Sequence, residues 1–239
     1  CNIAISERAY AKAVAGAKAA VARTDLAKIP EIYICLARAQ ALTGDLDGGM
    51  ATAKTAFDLW PLVTGSKGGF VQYAEFFLYQ GQLDQYLELM RGKSSSQRAI
   101  ALLLLRPTEP VDEPQPEWPA KRMAPLGAAT WMLQQHVHGV DASRVVASYP
   151  EPEVRDWGLA LAAEDKGDRA GAIALLRESL SVPQKGDVRM LVSHHLAKLL
   201  HETGDTAGAA AACEDVVAPR LYENYRAVLL PDCVAWSKP

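Results

Sequence analysis

With 239 residues, about half of them apolar and alanine the commonest, the chain is long enough to bury most of its unfolded surface in one large or two small domains. A formal net charge of −3 supplies no bulk attraction to nucleic acid or to an anionic membrane. The longest aliphatic run, 99-AIALLLL-105, falls far short of the ~20 residues that span a bilayer, so no membrane span is expected.

The chain opens on Cys1, followed by 6-SERAYAKAVAGAKAAVA-22, which predicts a helix with Ser6 as its N-cap. Four cysteines (Cys1, Cys35, Cys213 and Cys233) stand far apart with no C-x-x-C pair. That pattern predicts reduced thiols and a cytoplasmic protein rather than a zinc ribbon or a dense disulfide scaffold. The alternative is a periplasmic or outer-membrane lipoprotein acylated at Cys1.

Helical periodicity dominates the rest, and no segment alternates as a strand does, so the fold class is all-α. Four stretches share one template: 36-LARAQALTGDLDGGMATAKTAF-57, 73-YAEFFLYQGQLDQYLELM-90, 159-LALAAEDKGDRAGAIALLRESL-180 and 196-LAKLLHETGDTAGAAAACEDVV-217. Aligned on Gly44, Gly81, Gly167 and Gly204, each carries alanine seven positions earlier: Ala37, Ala74, Ala160 and Ala197. A small residue there lets a second helix approach closely, and the glycine ends the first helix in a conformation that other residues adopt at a cost. Gly49, Tyr86, Ala172 and Ala209 take the next contact position, and Ala53, Met90, Leu176 and Cys213 follow one turn later.

This pattern resembles the tetratricopeptide repeat (TPR) family, with its small residue in helix A, its Gly-Asp-like turn, its alanines in helix B and a closing proline, here Pro61. The resemblance covers roughly residues 30–93 and 153–218. The spacing of 37 residues between aligned glycines exceeds the family period of about 34, and the motif's aromatic residues are largely missing. What the resemblance implies is a right-handed superhelical array of antiparallel helix pairs, about five or six of them.

The expected organisation is an N-terminal block over 1–105, a Pro-rich acidic loop over 106–120 and a C-terminal block over 121–239, joined as one continuous solenoid. The loop, 106-RPTEPVDEPQPEWPA-120, holds five prolines and four acidic residues, and proline in that density cannot continue a helix. Beyond it, 121–139 and 141–150 read as a degenerate helix pair. The tail 219-PRLYENYRAVLLPDCVAW-236 reads as a capping helix interrupted at Pro231.

No G-x-x-x-x-G-K-[ST], G-x-S-x-G or H-E-x-x-H occurs, and 65-GSKGGF-70 lacks the phosphate-loop spacing, so no catalytic residue, cofactor or metal is assigned. Glu164 and Asp165 are adjacent, point to different parts of a helix and are expected on a solvated face. The notable cluster is 194-HHLAKLLHETGD-205. His194 and His201 are seven residues apart, about 10 Å along a helix, too far to share one zinc without a third partner.

By the TPR resemblance, His194, His195, Lys198 and His201 would line the concave groove, with Arg38 and Gln72 at matching positions of other repeats. A protein or peptide partner, in particular an acidic one, is the class such a groove would take. The family's carboxylate clamp is not reproduced, because Ile34, Cys35 and Arg38 stand at its positions in one repeat and Val71, Gln72 and Glu75 in the next. The expected role is therefore a non-catalytic interaction module. Alanine-rich repeats of this style look similar to those attached to bacterial signalling kinases, regulators and ATPase sensors, so a place within a larger regulatory protein is expected. A pilotin-like assembly lipoprotein is the alternative.

Overall fold

The structure is a computed structural model, which describes residues 4–5, 9–64, 70–91, 95–109, 125–181, 188–217 and 226–237. Among these every regular element is a helix and none is a strand. No helix among them is long and apolar enough to cross a membrane. The Ser6 cap, the 65–69 turn, the loop from 110 to 120 and Cys1 lie outside the described residues.

The chain divides into two units, Cys1–Lys93 with Ala218–Val228 and Ser94–Val217 with Leu229–Pro239. The first holds α1 (Tyr10–Val21), α2 (Pro30–Leu42), α3 (Leu46–Thr64), α4 (Phe70–Tyr79) and α5 (Leu83–Met90). The second holds α6 (Ser95–Leu105), α7 (Pro125–Val137), α8 (Ser143–Val146), α9 (Pro152–Asp165), α10 (Arg169–Ser181), α11 (Val188–Glu202), α12 (Thr206–Ala212) and α13 (Glu214–Val217). It also takes α14 (Arg226–Trp236) from Leu229 onward. This division places residues 94–105 with the second unit. Because α6 packs on α7, the helices on either side of the Pro-rich segment belong to one unit. Of that segment, the described residues 106–109 form a turn closed by Glu109 N–H on the Arg106 carbonyl.

The four template glycines all sit at positive φ, with Gly44 at 92°, Gly81 at 70°, Gly167 at 79° and Gly204 at 85°. Around each, the helix ends in the same pair of backbone bonds. Gly44 N–H donates to the Ala41 carbonyl and Asp45 N–H to the Gln40 carbonyl, and the pattern repeats at 81/82, 167/168 and 204/205. This double closure is the Schellman motif, which needs a left-handed residue at its centre and therefore favours glycine. The aspartate that follows then caps the next helix: Asp45 accepts from Gly48 N–H, Asp168 from Gly171 N–H and Asp205 from Gly208 N–H, at 2.8 to 3.0 Å.

The seam between the helices of each hairpin is as the alignment predicts. Ala37, Ala74, Ala160 and Ala197 have no exposed surface, nor do Tyr86, Ala172 and Ala209 opposite them, nor Ala53, Met90, Leu176 and Cys213 one turn on. A Cβ added at Gly49 would stand 3.0 Å from the Ala37 carbonyl oxygen, so α2 and α3 meet almost backbone to backbone. A fifth turn of the same type surrounds Gly139, at φ 64°, but there Met132 replaces the alanine and the following helix α8 is a single turn. The space that Met132 fills is left open by Gly158 on α9, where a Cβ would collide with both Met132 and Val146.

Pro61, expected at the closing position of its repeat, and Pro231, expected to interrupt the last helix, both lie inside helices. Pro61 sits within α3 and Pro231 within α14. Each removes one helical hydrogen bond. In α14 the loss is offset by burial of Leu229, Leu230 and Cys233 and by a disulfide at Cys233.

Candidate functional site

In the second unit α9 and α11 lie against each other and against α7. Trp157, Leu161 and Glu164 recur at i, i+4 and i+7 on α9, and Leu191, His195 and Lys198 do so on α11, so each trio forms a stripe on one helix face. The two stripes line a cavity of about 240 Å³. Leu103 of α6, Leu133 and His136 of α7, His194 of α11 and Leu229 of α14 add to its walls, which are mainly apolar.

Its polar end is built on Glu164. His195 Nε2 lies 2.6 Å from Glu164 Oε2, and Lys198 Nζ donates to Oε1 at 3.3 Å. The hydrogen bond from His195, with Lys198 assisting, holds the Glu164 carboxyl down at about 2 against the opposing effect of burial. Burial pushes the His195 imidazole down from its ordinary value, and this outweighs the neighbouring carboxylate. The arrangement is therefore a neutral imidazole donating Nε2–H to an ionised carboxylate. Its other ring nitrogen, Nδ1, is buried and has no hydrogen-bond partner, and the same is true of the Trp157 indole Nε1–H.

Of the cluster read from the sequence, His194, His195 and Lys198 line this one cavity, while His201 is exposed. His195 turns to α9. His194 donates to Asp232 at 3.1 Å and lies 5.3 Å, ring to ring, from Trp236. His201 stacks on the same Trp236, also at 5.3 Å. The cause is α14, tied down by a disulfide between Cys213 and Cys233, whose Cα atoms are 5.3 Å apart. Cys35 is disulfide-bonded as well, and none of the described cysteines is free. The expectation of reduced thiols is thus corrected: cysteines 20 residues apart in sequence meet because α14 returns onto the end of α12.

Arg38 belongs to the first unit. It is 2% exposed and clamps Glu75 through two bonds of 2.6 and 2.9 Å inside the first unit. Gln72 lies on α4, and its side chain falls outside the described residues.

Several contributors escaped the sequence reading. Glu164 and Asp165 do diverge: Glu164 turns inward to His195, whereas Asp165 is exposed, with its Oδ1 2.9 Å from His136 Nδ1, off the line of a hydrogen bond. Trp157 carried a signal, an indole in the stripe of an otherwise alanine-rich helix; His136 carried none. Among the described residues, no group of three histidines, cysteines or carboxylates could hold a metal ion. Compared with models of known protein families the chain matches none, and a search of curated proteins finds no match.

Proposed function

We propose that this chain is a non-catalytic helical-repeat module of the TPR kind, whose role is to bind a protein or peptide partner as part of a larger regulatory assembly. The observation that carries the reading is the hairpin repeated around Gly44, Gly81, Gly167 and Gly204, with a fully buried alanine in every copy. Stacked hairpins of this kind are scaffolds that present extended surfaces. In-cell cross-linking, followed by calorimetry on the purified chain and the captured partner, tests the proposal. Saturable binding that leaves the partner chemically unchanged is the expected result, and a partner or small molecule converted to a product of different mass would overturn it.

The disulfide favours a second reading on compartment: an oxidising one, such as the periplasm, in place of the cytoplasm. A lipoprotein anchored through Cys1 would be at home there. Acylation consumes the Cys1 thiol, so peptide mapping under non-reducing conditions decides the question. A lipid mass on Cys1 supports the anchor, and a disulfide linking Cys1 to Cys35 rules it out.

A further inference from the structure

From the partly exposed pair of Glu164 and Lys198 at the end of an apolar cavity, we infer that this cavity of the second unit binds a free α-amino acid with a large apolar side chain, of about the size of phenylalanine. The inference goes beyond the partner-binding role proposed above and does not rest on it.

Size and lining set the body of the ligand. About 240 Å³ exceeds the roughly 150 Å³ apolar cavity known to hold benzene, so a ring and a small head group fit together. Leu133, Leu161, Leu191 and Leu229 line the cavity, and an apolar side chain placed among them leaves water. The charges set the head group. Among the described residues that line the cavity, the titratable ones are Glu164 on α9, His194, His195 and Lys198 on α11, and His136 on α7. His195 is held neutral by burial, and His136 and His194 each stand beside a carboxylate of their own, Asp165 and Asp232. What remains is one cation and one anion, Lys198 Nζ and Glu164 Oε1, 3.3 Å apart.

Unlike the clamp of Arg38 and Glu75, this pair is neither sealed nor saturated. Lys198 keeps 42% of its side-chain surface and Glu164 20%. The ammonium has three N–H donors and gives one to Glu164, over a distance longer than the about 2.7–2.9 Å usual for such a bond. Glu164 accepts from His195 and Lys198 and has lone pairs to spare. A ligand that answers both groups brings an anion for Lys198 and an N–H cation for Glu164 side by side, as an α-amino acid does on a single carbon. The four charges then alternate in sign around a ring. A carboxylate alone would set two anions on one ammonium, and an ammonium alone two cations on one carboxylate, each with an uncompensated like-charge contact.

The test uses the full chain and four probes: L-phenylalanine, 3-phenylpropanoate, which lacks the ammonium, 2-phenylethylammonium, which lacks the carboxylate, and L-alanine, which lacks the ring. Isothermal calorimetry should show saturable binding of phenylalanine, with each of the other probes weaker by about tenfold or more, the size of one net hydrogen bond to a charged group. Glu164→Gln should weaken phenylalanine by about tenfold and leave 3-phenylpropanoate unweakened. Lys198→Met should weaken phenylalanine to the same extent and leave 2-phenylethylammonium unweakened. Phenylalanine bound no more tightly than either one-charge probe or than alanine, or no saturable binding of phenylalanine, would each overturn the inference. The wild-type series decides the matter even if a variant fails to fold.

Discussion

The two units place charge differently at one register of the repeat. In the first, Arg38 and Glu75 each directly follow a seam alanine, one spacing of 37 residues apart. They meet in a two-bond clamp with both side chains only 3% exposed. In the second, the matching positions after Ala160 and Ala197 are Leu161 and Lys198. Lys198 stands at the position of Glu75 and Leu161 at that of Arg38, so Lys198 reaches one turn along α9 to Glu164 and shares that carboxylate with His195. Two differences at repeat positions, leucine for arginine and lysine for glutamate, therefore separate a closed internal ion pair from a partly buried polar cluster at the end of a cavity. Burial decides what each is for: the first makes its unit depend on both partners, whereas the second leaves groups beside open space.

The comparison can be broken most forcefully in the first unit. Glu75→Ala removes the carboxylate from a buried guanidinium and should destabilise that unit by about 3–5 kcal/mol, while the double change Arg38→Met with Glu75→Leu should restore most of the loss. Urea denaturation of the three proteins checks this, and a Glu75→Ala chain as stable as wild type would mean that the pair is not the closed unit described.

In the second unit, Cys233→Ser should cost about 3 kcal/mol by releasing a cross-link across 20 residues. It should also change the tryptophan emission, because Trp236 then loses His194 and His201. If emission and denaturation midpoint both match those of the wild type, α14 is held without the disulfide.

The seam is common to both units, and Ala197→Leu probes it by overpacking the hairpin of α11 and α12, at about 1–3 kcal/mol. A melting temperature unchanged by this variant would refute the seam.

The polar cluster has a pH signature. Glu164 titrates at about 2 in the folded chain against an ordinary value of 4.5. A depressed folded value means that its stabilisation is fully present above about pH 4.5 and is lost as pH falls from there towards 2. Glu164→Gln should remove about 1–2 kcal/mol of the difference between pH 5 and pH 3, read as the change in urea midpoint. An identical pH slope in wild type and variant would show that the pairing with His195 and Lys198 contributes nothing.

The smallest effect expected is at the turns, where Asp168→Ala and Asp205→Ala each remove one cap bond and should each cost about 1 kcal/mol. Additivity of the two would sharpen the picture of equivalent hairpins.

Local chemistry was legible in the sequence wherever one residue type has one conformational reason to be present. The turn glycines and the seam alanines belong to this class, since a left-handed backbone and a close helix approach each admit few side chains. The fifth turn, at Gly139, was seen as a degenerate pair because Met132 disguises the seam, and Gly158, distant in sequence, supplies the missing space. Helices run through Pro61 and Pro231 because tertiary packing can outweigh one lost backbone bond.

The all-helical class, the register of four hairpins and the small-residue seam were determined by the sequence alone, because each follows from interactions within a few turns of the chain. The partners of the charged and aromatic side chains were decided only by the tertiary structure. Glu164 pairs with a histidine 31 residues away and His194 with an aspartate 38 away, and Cys213 meets Cys233 because α14 comes back across α11. A histidine or a carboxylate has no periodicity that points to such a partner, since long, flexible side chains bond whatever the packed backbone brings within about 3 Å.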